Sequence, residues 1–184
     1  MKRSAPSTTS WARARCAICS NYVGWRLTRA LWESDKHGYA RYESLQPKYN
    51  LVFRDEYERE LEPLCLEQGV GVIPYSSLGS GFLSGKYRPG ASLPATARAA
   101  NVQKGYMTDR GFAVLAALDK VAGKVGATPA QVALSWLAHR PGITAPIASA
   151  TSPAQLKELI GGIDLRLDEE ATAELDRASA WREA

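Results

Sequence analysis

Short apolar runs alternate along this chain with longer stretches whose apolar positions recur at helical spacing. Ala14 to Cys19 reads as a strand ended by Ser20-Asn21, and Trp25 to Lys36 as a helix with Leu27, Ala30, Leu31 and Ser34 on one face and Gly38 as its stop. Tyr42 to Gln46 predicts a second strand closed by Pro47. Arg54 to Gln68 places Tyr57, Leu61, Leu64 and Cys65 at helical spacing, with Gly69 beyond its end and Pro63 inside, where a kink or restart is expected. Val70 to Tyr75 reads as a third strand and Thr144 to Ala148 as a fourth. Between them lie helices over Gly111 to Gly126 and Pro129 to His139, the second capped by Thr128 ahead of a first-turn proline. Ser152-Pro153-Ala154-Gln155 has the form of a capping box, and Asp168 caps a last helix with Ala171, Leu175 and Ala178 inside. Strands alternating with helices demand an α/β fold with a parallel sheet and right-handed crossovers.

Polar residues gather where these strands end. Ser20 and Asn21 follow the first strand, Gln46 ends the second, Tyr75 the third, and Ser149 to Ser152 follow the fourth. Parallel α/β folds bind ligands at that end of the sheet, so the four clusters predict one shared pocket. After Tyr75 comes SSLGSGFLSGK, whose Gly79, Gly81 and Gly85 allow close backbone approach to a phosphate, while Ser76, Ser77, Ser80 and Ser84 offer hydroxyls and Lys86 a charge. This is not the dinucleotide fingerprint. The glycines are one residue too far apart for G-x-G-x-x-G, no helix signal opens inside the loop, and no acid follows at the required distance. The alternative is a plain surface loop. The polar stretch from Pro89 to Asp109 is long enough to act as a lid.

Composition narrows the class. The chain has 184 residues, 45% of them hydrophobic and 23% charged, as in one soluble domain. A whole (β/α)8 barrel usually needs about 250 residues. The net charge of +4 comes from the start of the chain, where residues 1–41 hold eight Lys or Arg against two acids. Those basic residues are scattered rather than interleaved with aromatics, so no nucleic-acid partner is expected. Residues 1–15 read as a basic, disordered tail, and residues 16–184 as one domain. No run is long enough to span a membrane and no secretory signal follows Met1, so a cytoplasmic protein with no membrane partner is expected. Three cysteines fit reduced thiols; the Cys16-x-x-Cys19 pair has no second ligand pair and is read as incidental, so no metal site is expected.

Several stretches carry a family resemblance: SLQPKYNLV at Ser44 to Val52, RELEPLC at Arg59 to Cys65, PYSSLGSGFLSGKY at Pro74 to Tyr87, TPAQVALSW at Thr128 to Trp136, and TAPIASATSPAQLKE at Thr144 to Glu158. In this order they resemble the C-terminal half of an aldo-keto reductase, continuously from about Cys19 to Trp181. The resemblance implies a partial TIM (β/α)8 barrel of about four βα units plus a C-terminal helix. It also implies a nicotinamide dinucleotide as cofactor, NADP(H) first and NAD(H) second. By the same resemblance, Ser20, Asn21 and Gln46 bind the carboxamide, Tyr75 stacks on the nicotinamide ring, and Ser76, Leu78, Ser80 and Gly81 hold the pyrophosphate, with Lys86 as a weaker addition. Ser149, Ala150, Thr151 and Ser152 stand where the family holds the adenosine 2′-phosphate, and Gln155 and Glu158 where it meets the adenine side. Many members carry Arg or Lys where Thr151 or Ser152 stands, which leaves the choice between the two cofactors open.

The family's catalytic Asp, Tyr, Lys and His belong to its N-terminal half, ahead of the first matching motif. Asp35, Lys36, His37 and Tyr39 do not replace them, because they lie at a helix end. The chain alone is therefore expected to be catalytically silent. Four βα units would leave two unpaired sheet edges, so a homodimer or assembly with a missing N-terminal half is expected. The alternative function is a non-catalytic nucleotide-binding or interaction module that pairs with another chain.

Overall fold

The computed structural model describes residues 17–93 and 99–181. The tail read over residues 1–15, Cys16 and part of the predicted lid lie outside them. The chain opens with strand β1 (Ala17–Ser20) and helix α1 (Gly24–His37), then β2 (Tyr42–Gln46). Leu27, Leu31 and Ser34 form the buried face of α1, and Gly38 ends it at φ 64°, a left-handed conformation that glycine adopts without steric cost. After β2 comes a π-turn at Tyr57–Leu61 that runs into α2 (Glu62–Gln68). The kink expected at Pro63 takes this form: the Glu62 N–H reaches back to the Tyr57 carbonyl, and the widened turn leaves the proline at the start of α2.

Strand β3 (Gly71–Val72) completes a parallel sheet in the order β1-β2-β3. Further along come α3 (Ala99–Gly105), α4 (Asp109–Val125), α5 (Pro129–Ala138), α6 (Pro153–Asp164) and α7 (Glu169–Ala178). The Thr128 hydroxyl accepts from the Gln131 N–H and the Gln131 side chain returns to the Thr128 N–H, a complete capping box on α5.

Several expectations need correction. The stretch from Pro89 to Asp109, read as a loop, carries α3, with Val102 fully buried. Thr144 to Ala148 is not a fourth strand; it is an extended segment with a single bridge, Ile143 to Val72. The Val72 N–H donates to the Gly142 carbonyl (3.2 Å), Thr144 N–H to Val72 (2.8 Å) and Ile147 N–H to Pro74 (2.8 Å). The bonds that would continue this ladder need N–H groups on Pro74 and Pro146, which have none. The described residues thus form a mixed α/β unit with a small parallel sheet, consistent with part of a barrel. The loop after Tyr75 also differs from expectation: Gly79–Ser84 coils into 3₁₀ turns interrupted at Ser80 and Gly81.

The core is continuous from Leu27 and Leu45 through Val72 and Phe82 to Leu118 and Leu137. Buried charge joins the end of the chain to the segment after β2. Arg54, 7% exposed, pairs with Glu58 (2.7 Å) and Asp176 (3.2 Å), and Glu58 also accepts from the Tyr49 hydroxyl (2.8 Å) and the Trp181 indole (2.7 Å). No helix among the described residues is long and apolar enough to cross a membrane.

Candidate functional site

The sheet delivers its polar residues to one end. Pairing of Ser20 with Gln46 at the close of β1 and β2 sets their side chains in one row, and the Ser20 hydroxyl donates to the Gln46 carbonyl (3.4 Å). Beyond β3 the chain stays in register, because the Tyr75 N–H donates to the Pro47 carbonyl (2.9 Å). The Tyr75 hydroxyl then reaches the Asn21 Oδ1 at 2.9 Å. Ser20, Asn21, Gln46 and Tyr75, from three separate elements, thus lie at one end of the sheet, though of the four expected clusters only Asn21 and Tyr75 reach the walls of the cavity there.

Backbone strain marks the same residues. Among the described residues the non-glycine positions with positive φ are Asn21, Ser76 and Ser80, each at 57°. A left-handed residue with a side chain costs roughly 1–2 kcal/mol unless its surroundings fix it. Asn50, 1% exposed, fixes Ser76: its Nδ2 donates to the Ser76 carbonyl (2.9 Å) while its Oδ1 accepts from the Val52 and Phe53 N–H groups. Ser80 leads into Gly81 at φ 93°, and the carbonyl of Gly81 accepts from the Ser84 hydroxyl (2.7 Å). Lys86 folds over this turn; a Cβ added to Gly81 would lie 3.1 Å from its Nζ. The turn therefore presents small residues, hydroxyls and one ammonium, the donor set an anion needs.

The second predicted group stands at the start of α6. The Ser152 hydroxyl caps the helix by accepting from the Gln155 N–H (3.3 Å). Here the capping box departs from expectation, since the Gln155 side chain accepts from the N–H and hydroxyl of Thr151 (2.8 and 2.9 Å) and not from the cap residue. Glu158 accepts from the Thr128 hydroxyl (2.7 Å), which ties α6 to the start of α5. Ser149, Thr151, Ser152 and Gln155 are exposed. One bond links this segment to the loop after Tyr75: the buried Ser77 hydroxyl donates to the Ile147 carbonyl (2.8 Å), two residues before Ser149.

A cavity of about 330 Å³ opens at the ends of β1 and β2, with Asn21, Lys48, Glu56, Tyr57, Glu60 and Tyr75 among its walls. Its size lies at the low end of small-molecule pockets. Sequence reasoning missed Lys48 and Asn50. Lys48 lies two residues past Gln46, hence on the same side of the strand, a signal that spacing had offered; Asn50, whose partner Ser76 is far along the chain, gave none. Burial pulls the Lys48 ammonium below its ordinary pKa, against the opposing pull of Glu56. Cys65, buried in the core, has its thiol pushed up to about 11 by the same effect and is no nucleophile. Among the described residues no group of three or more His, Cys, Asp or Glu could hold a metal ion.

A sequence profile described as the aldo/keto reductase family matches residues 13–180. The chain is 33% identical over 159 residues to the protein called tas of Escherichia coli, covering 85% of this chain and 45% of that protein. It is 34% identical over 142 residues to a probable aldo-keto reductase 1 of Glycine max, covering 73% of this chain and 39% of that one. A probable voltage-gated potassium channel subunit beta of Arabidopsis thaliana is 34% identical over 125 residues, 65% of this chain and 38% of that subunit. The chain thus spans less than half the length of each of these relatives.

Proposed function

As the chain belongs to the aldo/keto reductase family, we propose that it is the cofactor-holding part of an oxidoreductase that reduces carbonyl groups to alcohols. The family generally binds nicotinamide cofactors. The observation that carries the reading is the coincidence of strain and position. The three left-handed side-chain-bearing residues, Asn21, Ser76 and Ser80, all stand at sites that the resemblance assigns to the cofactor. Strain held in place by packing is a mark of a binding surface.

The residues present fit such a group. Asn21 and Gln46 carry both donors and acceptors, as a carboxamide requires, and the half-buried Tyr75 offers a ring face beside them. Ser76, Ser80, Gly81 and Lys86 would hold the pyrophosphate. The start of α6, with the hydroxyls of Ser149, Thr151 and Ser152, would receive the adenosine phosphate at the positive end of the helix dipole. When bound, the cofactor supplies the hydride; this chain's residues bind and orient it. We assign no catalytic residue here, and the chain alone is proposed to be inactive. NADP(H) is the expected ligand, with NAD(H) in competition because neither Thr151 nor Ser152 carries charge.

A second reading is a non-catalytic nucleotide-binding or interaction module that pairs with another chain, either a second copy or a chain that completes the barrel. It is favoured by the apolar side chains left in solvent: Trp25 (62%) and Trp32 (55%) on α1, and Leu156 and Ile160 (53% each) on α6. Titration of the chain with NADPH and with NADH, followed by tryptophan fluorescence, tests the first reading. Saturable binding that weakens when Asn21 is changed to Ala supports it; absence of binding by either cofactor overturns it and leaves only the interaction module.

A further inference from the structure

A second cavity, of about 280 Å³, opens between the end of α5 and the segment that joins α6 to α7. Its walls carry three basic side chains, His139, Arg140 and Arg166, and no carboxylate of the described residues. The cavity beside Asn21 and Tyr75 has the opposite character, with Asp55, Glu56 and Glu60 in its walls. Arg140 is largely balanced: it ion-pairs with Asp176 (3.2 Å) and stands 3.7 Å from Glu58, and Arg54 pairs with the same two acids. Its Nε–H is nevertheless buried without an acceptor among the described residues. Arg166 supplies the surplus charge. It is exposed, donates only to the Ile163 carbonyl (3.5 Å), and ion-pairs with no carboxylate of the described residues, although Asp164 and Asp168 stand two positions to either side. The His139 Nδ1–H donates to the Ser135 carbonyl (2.7 Å), which leaves Nε2 as its second nitrogen for a ligand. Thr172 adds a hydroxyl to these walls, and Trp136 and Leu167 add apolar surface.

We propose that this cavity binds a small organic monoanion, a carboxylate carried on an apolar body. The planar fork of Arg166 matches the two carboxylate oxygens, with His139 and Thr172 beside it. Trp136 and Leu167 receive the apolar body. One unbalanced guanidinium answers one negative charge, so a monoanion fits better than a phosphate dianion. The site shares no residue with the proposed dinucleotide site, and failure of the NADPH titration leaves it standing.

Calorimetric titration of the intact chain with benzoate tests it, with benzamide as the neutral isostere and inorganic phosphate as the anion without an apolar body. The expected result is saturable binding of benzoate that weakens about fivefold in Arg166→Gln, with benzamide and phosphate both binding more weakly than benzoate by at least about the same factor. Because Arg166 is exposed and unpaired by any described carboxylate, the variant should melt at the temperature of the parent. Absence of saturable benzoate binding, equal binding by Arg166→Gln, or equal binding of benzamide or phosphate would overturn the proposal.

Discussion

Glu58 accepts hydrogen bonds from Arg54, Tyr49 and Trp181, and so decides how firmly the last helix is held. Burial pushes its carboxyl up, but these bonds outweigh burial and the net direction is below the ordinary value. A folded pKa below the unfolded one gives stability that is complete above about 4.3 and lost as pH falls through the folded value. Glu58→Gln is expected to cost about 1–2 kcal/mol at neutral pH, because the buried Arg54 loses one of its two carboxylate partners and keeps Asp176. Urea unfolding across a pH series checks this: the variant's stability should decline less on acidification than the parent's. Tyr75 has the opposite character. Its bond to Asn21 is exposed, so Tyr75→Phe should change stability by less than about 1 kcal/mol. NADPH binding should weaken by about fivefold, readable by fluorescence titration, as both the hydroxyl and the alignment of Asn21 are lost.

At the scale of elements, the loop from Ser76 to Ser84 holds conformations its serines disfavour. Ser80→Gly relieves a left-handed residue and should raise stability by about 1 kcal/mol in thermal unfolding, while Gly81→Ala, at φ 93°, should lower it by a similar amount. The helices were largely legible in the sequence, because their signals are local: Gly38, Gly69 and Gly126 end α1, α2 and α4 in left-handed conformations, and Thr128 and Asp168 cap α5 and α7 with their own oxygens. The segment from Thr144 to Ala148 was not, since its failure to form a strand depends on two prolines that face each other only after folding, Pro74 and Pro146. The polar ends of β1 to β3 followed from strand order and lie at one end of the sheet, but the cavity there takes in only Asn21 and Tyr75 of them. What periodicity could not show was Asn50, whose role is to hold a distant carbonyl, or the switch of Gln155 from its cap to Thr151.

Across the whole molecule, many of the apolar side chains left in solvent lie in two regions, Ile18 on β1 with Trp25 and Trp32 on α1, and Ile147 with Leu156, Ile160 and Ile163 on α6. A homodimer or a completing chain would cover them. Sedimentation should therefore show the parent chain self-associating, and Leu156→Glu combined with Ile160→Glu should reduce association with a change in melting temperature of only a few degrees, because both residues are more than half exposed. The loop after Tyr75 and the start of α6 are proposed to form one cofactor site, although one serine hydroxyl is the bond that joins them. Hydrogen exchange read by mass spectrometry, with and without NADPH, tests this directly. Protection that appears together over 75–86 and 149–158 is the predicted result; protection of one stretch without the other, or of neither, would contradict it.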